Sequence, residues 1–274
     1  MECVRIMLKT IKINAHYTHY EYLKTDPKKS TLVFINSLGT DHRIWSHVVA
    51  ELGQTFNILK YDKQGHGLSE QTKKSLSISN YADDLITLLT ALSIDKVIPI
   101  GLSIGGIIAQ ELYRKRRDLV EKLILTNTAT KIGSRDSWNQ RIQTVEHNGL
   151  ASISDLILSK WFGPGFAIKN PDRFAVAKVM LLQTPDAGYI AACQALSNAD
   201  LTAFAPDIQV PTLCIAGGDD QATPTGVVRA MANLIPQSDF YELSGVGHIP
   251  CLEAEQEFTK TVLNFLGKHG GTDL

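Results

Sequence analysis

The run Gly101-Leu102-Ser103-Ile104-Gly105 sets a serine where a short apolar stretch, Lys96–Ile100, meets an amphipathic one, Ile104–Arg116. The G-x-S-x-G string alone is a modest signal, and its place between a strand and a helix is what gives it weight. Such a turn strains the serine backbone and admits only small residues two positions to either side. It lifts the hydroxyl above a sheet edge, at a helix N-terminus. There the helix dipole and the free N–H of Ile104 stabilise negative charge. The chemistry implied is nucleophilic attack on a carbonyl. A serine hydroxyl is a weak nucleophile and needs a base. Of eight histidines, His248 in Ser244-Gly245-Val246-Gly247-His248 follows the last expected strand. His66, in Gly65-His66-Gly67, follows a much earlier strand and reads as structural. An acid must orient the base and stabilise its imidazolium. The run VPTLCIA ends in Gly217-Gly218-Asp219-Asp220, so both carboxylates are candidates. The G-x-x-D spacing from Gly217 favours Asp220. The order Ser103, Asp220, His248 is neither that of chymotrypsin nor that of subtilisin. A second oxyanion donor is expected from the loop Asn36-Ser37-Leu38-Gly39-Thr40-Asp41. The N–H of Leu38 is the candidate, paired with that of Ile104.

These residues need a frame that brings distant loops to one edge. Val4–Asn14 alternates, and His16–Leu23 reads as its hairpin partner. Thr31–Asn36 and Phe56–Tyr61 are short β-rich runs. Asn80 reads as the cap of a helix carrying Tyr81, Leu85, Leu88 and Leu92 at helical spacing. The strand Lys96–Ile100, the helix Ile104–Arg116 and the strand Leu123–Asn127 follow. This alternation predicts an α/β fold, with a mostly parallel central sheet flanked by helices. Strand-like runs then stop. Trp138–His147, Ile153–Trp161, Pro171–Leu182 and Gly188–Leu196 read as helices, the third opened by proline at its first position. The alternation resumes with Val210–Ala216, Thr225–Leu234, Asp239–Leu243 and Ala254–Leu266. The organisation expected is a core of residues 1–127 and 201–274 with a helical cap at 128–200, ending in a frayed tail from Lys268 to Leu274.

Composition narrows the partners. With 44% hydrophobic and 20% charged residues, the 274-residue chain is ordinary globular material, not a disordered one. A net charge of -1 gives no global field for nucleic acid or an anionic membrane surface. The basic run Arg114-Lys115-Arg116-Arg117 ends a helix, where cations complement the dipole. No apolar run reaches the length that spans a bilayer, and the N-terminal stretch has no apolar signal-peptide core. Cys3, Cys193, Cys214 and Cys251 are widely spaced and read as reduced, buried thiols, so a cytoplasmic location is expected. Asp41, His42 and Asp62 are not at metal-site spacing, and no metal site is expected.

The strand-G-x-S-x-G-helix, the G-x-x-D and the final G-H resemble the α/β-hydrolase superfamily over essentially the whole chain. A narrower resemblance is to the 3-oxoadipate enol-lactonases. Asn36-Ser37-Leu38-Gly39-Thr40-Asp41 is similar to their N-S-L-G-T-D, where most relatives carry H-G. Asn127-Thr128-Ala129, Ile132-Gly133-Ser134, Trp138 and Arg141 resemble the start of that family's cap. Gly188-Tyr189, Cys193-Gln194-Ala195 and Ala199-Asp200-Leu201 resemble its exit. Gln64 stands where arginine is usual in D-x-R-G-H-G, and the histidine loop reads G-H-I-P-C-L-E instead of S-H-I-S-N-I-E.

The resemblance implies cofactor-free hydrolysis of 3-oxoadipate enol-lactone to 3-oxoadipate, in the β-ketoadipate branch of bacterial aromatic degradation. The substrate implied is a small lactone or ester carrying a carboxylate, so its pocket needs a cation. Arg141 lies one helical turn after Trp138 and can share its face. The arginine would hold the carboxylate and the tryptophan would pack on the flat ring. Arg135 is a less favoured substitute, and Trp161 and Phe162 read as cap core. The same triad would serve a broad carboxylesterase, or a hydrolase of another lactone or of a C–C bond. The fold can also carry a non-catalytic ligand-binding homologue. Oligomeric state has no signature in the sequence.

Overall fold

The computed structural model describes residues 8–26, 28–72 and 75–269. Cys3, the start of the first expected strand and the end of the expected tail fall outside that range. Eight strands form one sheet: β1 Lys9–Ile13, β2 His16–Leu23, β3 Thr31–Ile35, β4 Asn57–Tyr61, β5 Val97–Leu102, β6 Leu123–Thr126, β7 Thr212–Gly217 and β8 Ser238–Leu243. Their order is β1-β2-β4-β3-β5-β6-β7-β8. The β1–β2 hairpin is antiparallel, as is the β2–β4 pair. From β4 to β8 every pair is parallel. Strands β3 to β7 are buried along their whole length and carry near-continuous apolar runs, as expected for strands covered on both faces.

The helices are α1 Ser46–Leu52, α2 Ile78–Ala91, α3 Ile104–Lys115, α4 Arg135–Asn148, α5 Ser154–Trp161, α6 Phe166–Lys169, α7 Pro171–Gln183, α8 Asp186–Ser197, α9 Thr225–Leu234, α10 Pro250–Glu253 and α11 Glu255–Lys268. The expected start of α2 is corrected. Ser77 is its cap, accepting the N–H of Asn80, and the Asn80 side chain accepts the N–H of Ser77 in return. Two cap-type residues three apart form a reciprocal box, and the first of them ends the extended chain. The helix α1 and the short 3₁₀ turn His42–Trp45 before it were not expected. Trp45 there is fully buried between Phe34 and Phe258. Between β6 and β7 the chain forms helices α4 to α8 and no strand among the described residues. We assign these to the cap.

Parallel strands deliver their carboxyl ends to one edge of the sheet. In sheet order, β3, β5, β6, β7 and β8 lead into Leu38, Ser103, Asn127, Asp220 and His248. Residues more than two hundred positions apart thus become neighbours.

The turn at Ser103 is possible because of two glycines. A Cβ on Gly105 would lie 2.1 Å from the carbonyl oxygen of Ile35, and one on Gly101 would lie 2.4 Å from that of Gly105. Both obstacles are backbone and cannot swing aside. Gly105→Ala is therefore expected to destabilise the protein by about 3 kcal/mol or more, read from urea unfolding. An unchanged midpoint would mean that α3 can move off β3 freely.

Candidate active site

Ser103 sits between β5 and α3 with φ 59° and ψ −119°, a left-handed conformation that costs a non-glycine residue on the order of 1–3 kcal/mol. Neighbours hold it there. Its N–H donates to the Thr126 carbonyl at 3.1 Å. Its carbonyl accepts the Thr128 hydroxyl at 2.6 Å and the Gly106 N–H at 2.9 Å. Ile104 is the first residue of α3, so its N–H has no acceptor within the helix.

His248 is 2% exposed, and its Nδ1 lies 2.8 Å from Oδ2 of Asp220. A carboxylate accepts, so Nδ1 carries the proton and Nε2 is left as the basic nitrogen. The backbone N–H of His248 donates to the Trp161 carbonyl at 2.7 Å, tying the histidine loop to the end of α5.

Asp220 is the most fully bonded carboxylate of the site. Its Oδ1 accepts the N–H groups of Ala222 and Thr223 at 2.7 and 2.9 Å. Its Oδ2 accepts from the Thr223 hydroxyl at 2.6 Å and from Asn127 Nδ2 at 2.9 Å, besides His248. Burial pushes its carboxyl up, but His248, Thr223 and Asn127 outweigh that and hold it below the usual carboxylate range. Asp219 is exposed, and its backbone N–H donates to the Val246 carbonyl.

The loop after β3 is locked from below. Gly39 N–H donates to Nε2 of His66 at 3.1 Å, and Lys63 Nζ donates to the Ser37 carbonyl at 2.6 Å. Asn36 Nδ2 donates to the Thr40 carbonyl. Burial drives both Lys63 and His66 far down from their ordinary values. His66, the rival histidine in the sequence, therefore supports the loop that carries Leu38. Gln64, in the place of the usual arginine, bonds His16 at 2.9 Å, away from the serine.

Ser103, His248 and Leu38 line one cavity of about 220 Å³, together with Trp138 and Arg141 of α4. The Arg141 guanidinium carbon lies 4.9 Å from the centroid of the Trp138 ring, so the two share a face. Trp138 Nε1 donates to the Ile132 carbonyl at 2.6 Å, which fixes the ring. Arg141 also reaches the Tyr189 hydroxyl at 3.5 Å. Arg135 is instead exposed and bonds Asn198. Trp161, expected as cap core, also lines the cavity, whereas Phe162 stacks on Phe166.

The parts that several neighbours play escaped sequence reasoning. Asn127, left-handed at φ 47°, links Asp220 to the Gly247 carbonyl. Its position directly after β6, beside the acid's strand, was the available signal. Thr223 lies three residues after Asp220, a spacing typical of side-chain-capped turns. Tyr189, which the cap-exit resemblance includes without a role, also lines the cavity, as do Lys160 and Gln221, which nothing in the local sequence marks.

A second cluster lies apart from the serine. His19, His42 and Asp62 offer ligand-type atoms that all lie within 4.8 Å of one another. Linear spacing missed it because His19 comes from β2. Asp62 already accepts the N–H groups of His42 and Leu68 at 2.8 and 3.0 Å and pairs with His19 Nδ1 at 2.8 Å. That is the bonding of an anchor for the turn after β4.

Residues 30–255 match the family model of the alpha/beta hydrolase fold. Two relatives in Acinetobacter baylyi are named 3-oxoadipate enol-lactonase 1 and 2. The first is 34% identical over 86% of this chain and 88% of its own length, the second 32% over 85% and 87%. The crystal structure of the enol-lactonase from Burkholderia xenovorans LB400 superposes with a TM-score of 0.91 at 33% identity, covering 94% of this chain and all of that one. A mostly parallel eight-stranded sheet, a strained serine at its carboxyl edge and these likenesses converge: the chain belongs to the α/β-hydrolase fold family and is a lactone or ester hydrolase, similar to the 3-oxoadipate enol-lactonases.

Proposed function

We propose that the protein hydrolyses 3-oxoadipate enol-lactone to 3-oxoadipate through Ser103, as a step of aromatic catabolism. The observation that carries this reading is Arg141. It lies on the face of Trp138, in the cavity of Ser103 and His248, and has no carboxylate partner among the described residues. A half-buried cation in the cavity of the nucleophile calls for an anionic substrate, and the flat indole suits a flat ring. The names of the relatives point to the same lactone.

Ser103 Oγ attacks the lactone carbonyl while His248 Nε2 takes its proton. Asp220 holds His248 in that tautomer and stabilises the imidazolium. The N–H groups of Leu38 and Ile104 receive the oxyanion. The ring C–O bond breaks, and the enolate oxygen takes the proton from His248 to give the enol, which becomes the ketone as that proton moves from oxygen to the neighbouring carbon. A water then gives a proton to His248 and its hydroxyl to the acyl carbon. Ser103 leaves and is reprotonated, and the new carboxylate is released. No step requires a metal or organic cofactor.

The test is the ultraviolet loss of freshly made enol-lactone beside a short aryl ester. We expect a strong preference for the lactone. In Arg141→Met, KM for the lactone should rise about 10- to 100-fold while the aryl ester is little affected, since a charged hydrogen bond contributes about 1.5–3 kcal/mol. Equal turnover of both esters would instead mark a broad carboxylesterase.

No helix among the described residues is long and apolar enough to cross a membrane. Cys193, Cys214 and Cys251 are free and buried, and burial pushes Cys193 and Cys214 up to about 12. Inert, reduced thiols support a reducing compartment, and we place the protein in the cytoplasm.

A further inference from the structure

The cavity is more positive than its substrate needs. Lys160, on α5, lines it together with Arg141 on α4, and no aspartate or glutamate does among the described residues. Lys160 is half-buried and has no ion pair with any described residue. The site thus presents two cations. A lactone with one free carboxylate brings one negative charge.

Hydrolysis supplies the other. The monoanionic lactone and water give a dicarboxylate and one proton, so the charge on the bound molecule goes from one to two. The new carboxylate forms on the carbon that Ser103 held, beside His248. Lys160 sits on α5, whose end is tied to the histidine loop through the Trp161 carbonyl and the His248 N–H at 2.7 Å. Arg141 comes from a different element, α4, against Trp138 and Tyr189.

We propose that Lys160 forms a second carboxylate subsite, and that the cavity with both cations recognises a short aliphatic dicarboxylate. This rests on the lactonase reading for the identity of the reacting molecule, but the binding itself does not require turnover. The volume, about 220 Å³, lies below the roughly 300–1,000 Å³ of sites for drug-sized ligands and suits a chain of about six carbons. The consequence is product retention: the dianion released by the reaction binds more tightly than any monoanion of equal length.

Adipate and hexanoate have the same chain and differ by one carboxylate. Calorimetry or competitive inhibition with wild type should show adipate binding at least tenfold more tightly. Lys160→Met should remove most of that preference, leaving hexanoate within about twofold. Lys160→Arg should keep it. Arg141→Met should weaken both ligands. Equal binding of adipate and hexanoate to wild type would overturn the proposal, as would a Lys160→Met protein that still prefers adipate. A loss of thermal midpoint in Lys160→Met that Lys160→Arg shares, with the adipate preference lost in both, would make Lys160 structural and overturn it too. Failure of the lactonase reading shows separately, as absence of lactone turnover in wild type whatever adipate does.

Discussion

Ser103→Ala is expected to lower kcat for the enol-lactone by about 10⁴-fold or more, with KM changed little. That factor corresponds to roughly 5.5 kcal/mol of transition-state stabilisation. The reason is chemical, since every interaction that shapes the turn is made by the backbone of Ser103. Its N–H bonds the Thr126 carbonyl, and its own carbonyl takes the Thr128 hydroxyl and two N–H groups of α3. Alanine keeps all of these and meets the same strain at φ 59°. The thermal midpoint should therefore stay within a few degrees while turnover collapses. The residual rate should be that of water attack within an intact oxyanion site. His248→Ala should cost a similar factor, and the double variant little more than either single one, because the two groups act as a unit. A Ser103→Ala protein within tenfold of wild type would end the covalent mechanism. An additive loss in the double variant would mean that the two act in separate steps.

What the sequence made legible is what local rules control. The strand-to-helix turn at Ser103 is written in a five-residue string, because only glycine at 101 and 105 escapes collision with backbone. The parallel core is written in short, continuous apolar runs, since each of β3 to β7 must be buried on both faces. The helical insertion is written in the loss of those runs after β6. The serine and the loop histidine follow from the rule that parallel strands end on one edge.

The walls of the cavity were far less legible. Trp138 and Arg141 meet because three residues make nearly one helical turn, which spacing alone predicts. Lys160, Tyr189 and Gln221 join them only through the packing of α5, α8 and the loop after β7, and no spacing rule reaches across elements. The same is true of Asn127, which serves the acid and the histidine loop from a third strand. His19 shows the limit from the other side. Nothing along the chain ties it to His42 and Asp62, yet the β2–β4 pairing sets it against them. Even the start of α2 depended on a pair of side chains, since Ser77 and Asn80 are both good caps and only their mutual bonds assign the roles.

The two adjacent carboxylates give the second large effect. Asp220→Asn is expected to lower kcat by about 10³- to 10⁴-fold, and Asp219→Asn by less than about twofold. Sequence narrows the acid to this pair, and packing separates them. Oδ1 of Asp220 accepts two backbone N–H groups, so an asparagine there must keep its oxygen on that side. Its amide nitrogen then falls where Oδ2 was, facing His248 Nδ1, Asn127 Nδ2 and the Thr223 hydroxyl. All three are donors in the present arrangement, and of them the hydroxyl can turn to accept. His248 can meet the new N–H only by giving up its own proton at Nδ1, which places the proton on Nε2 and removes the base. The loss is thus one of tautomer, in addition to the lost charge that stabilises the imidazolium. Asp219 is exposed and, among the described residues, bonds only through its backbone N–H to the Val246 carbonyl, so its amide leaves His248 untouched. The check is kcat for both variants on the lactone, with the thermal midpoint as control. Asp220 binds Asn127, so a modest drop in stability is expected for Asp220→Asn without loss of the fold. A larger loss of turnover in Asp219→Asn would move the acid to the exposed position, and His248 would then have to turn away from the pocket between β6 and β8 that holds it now.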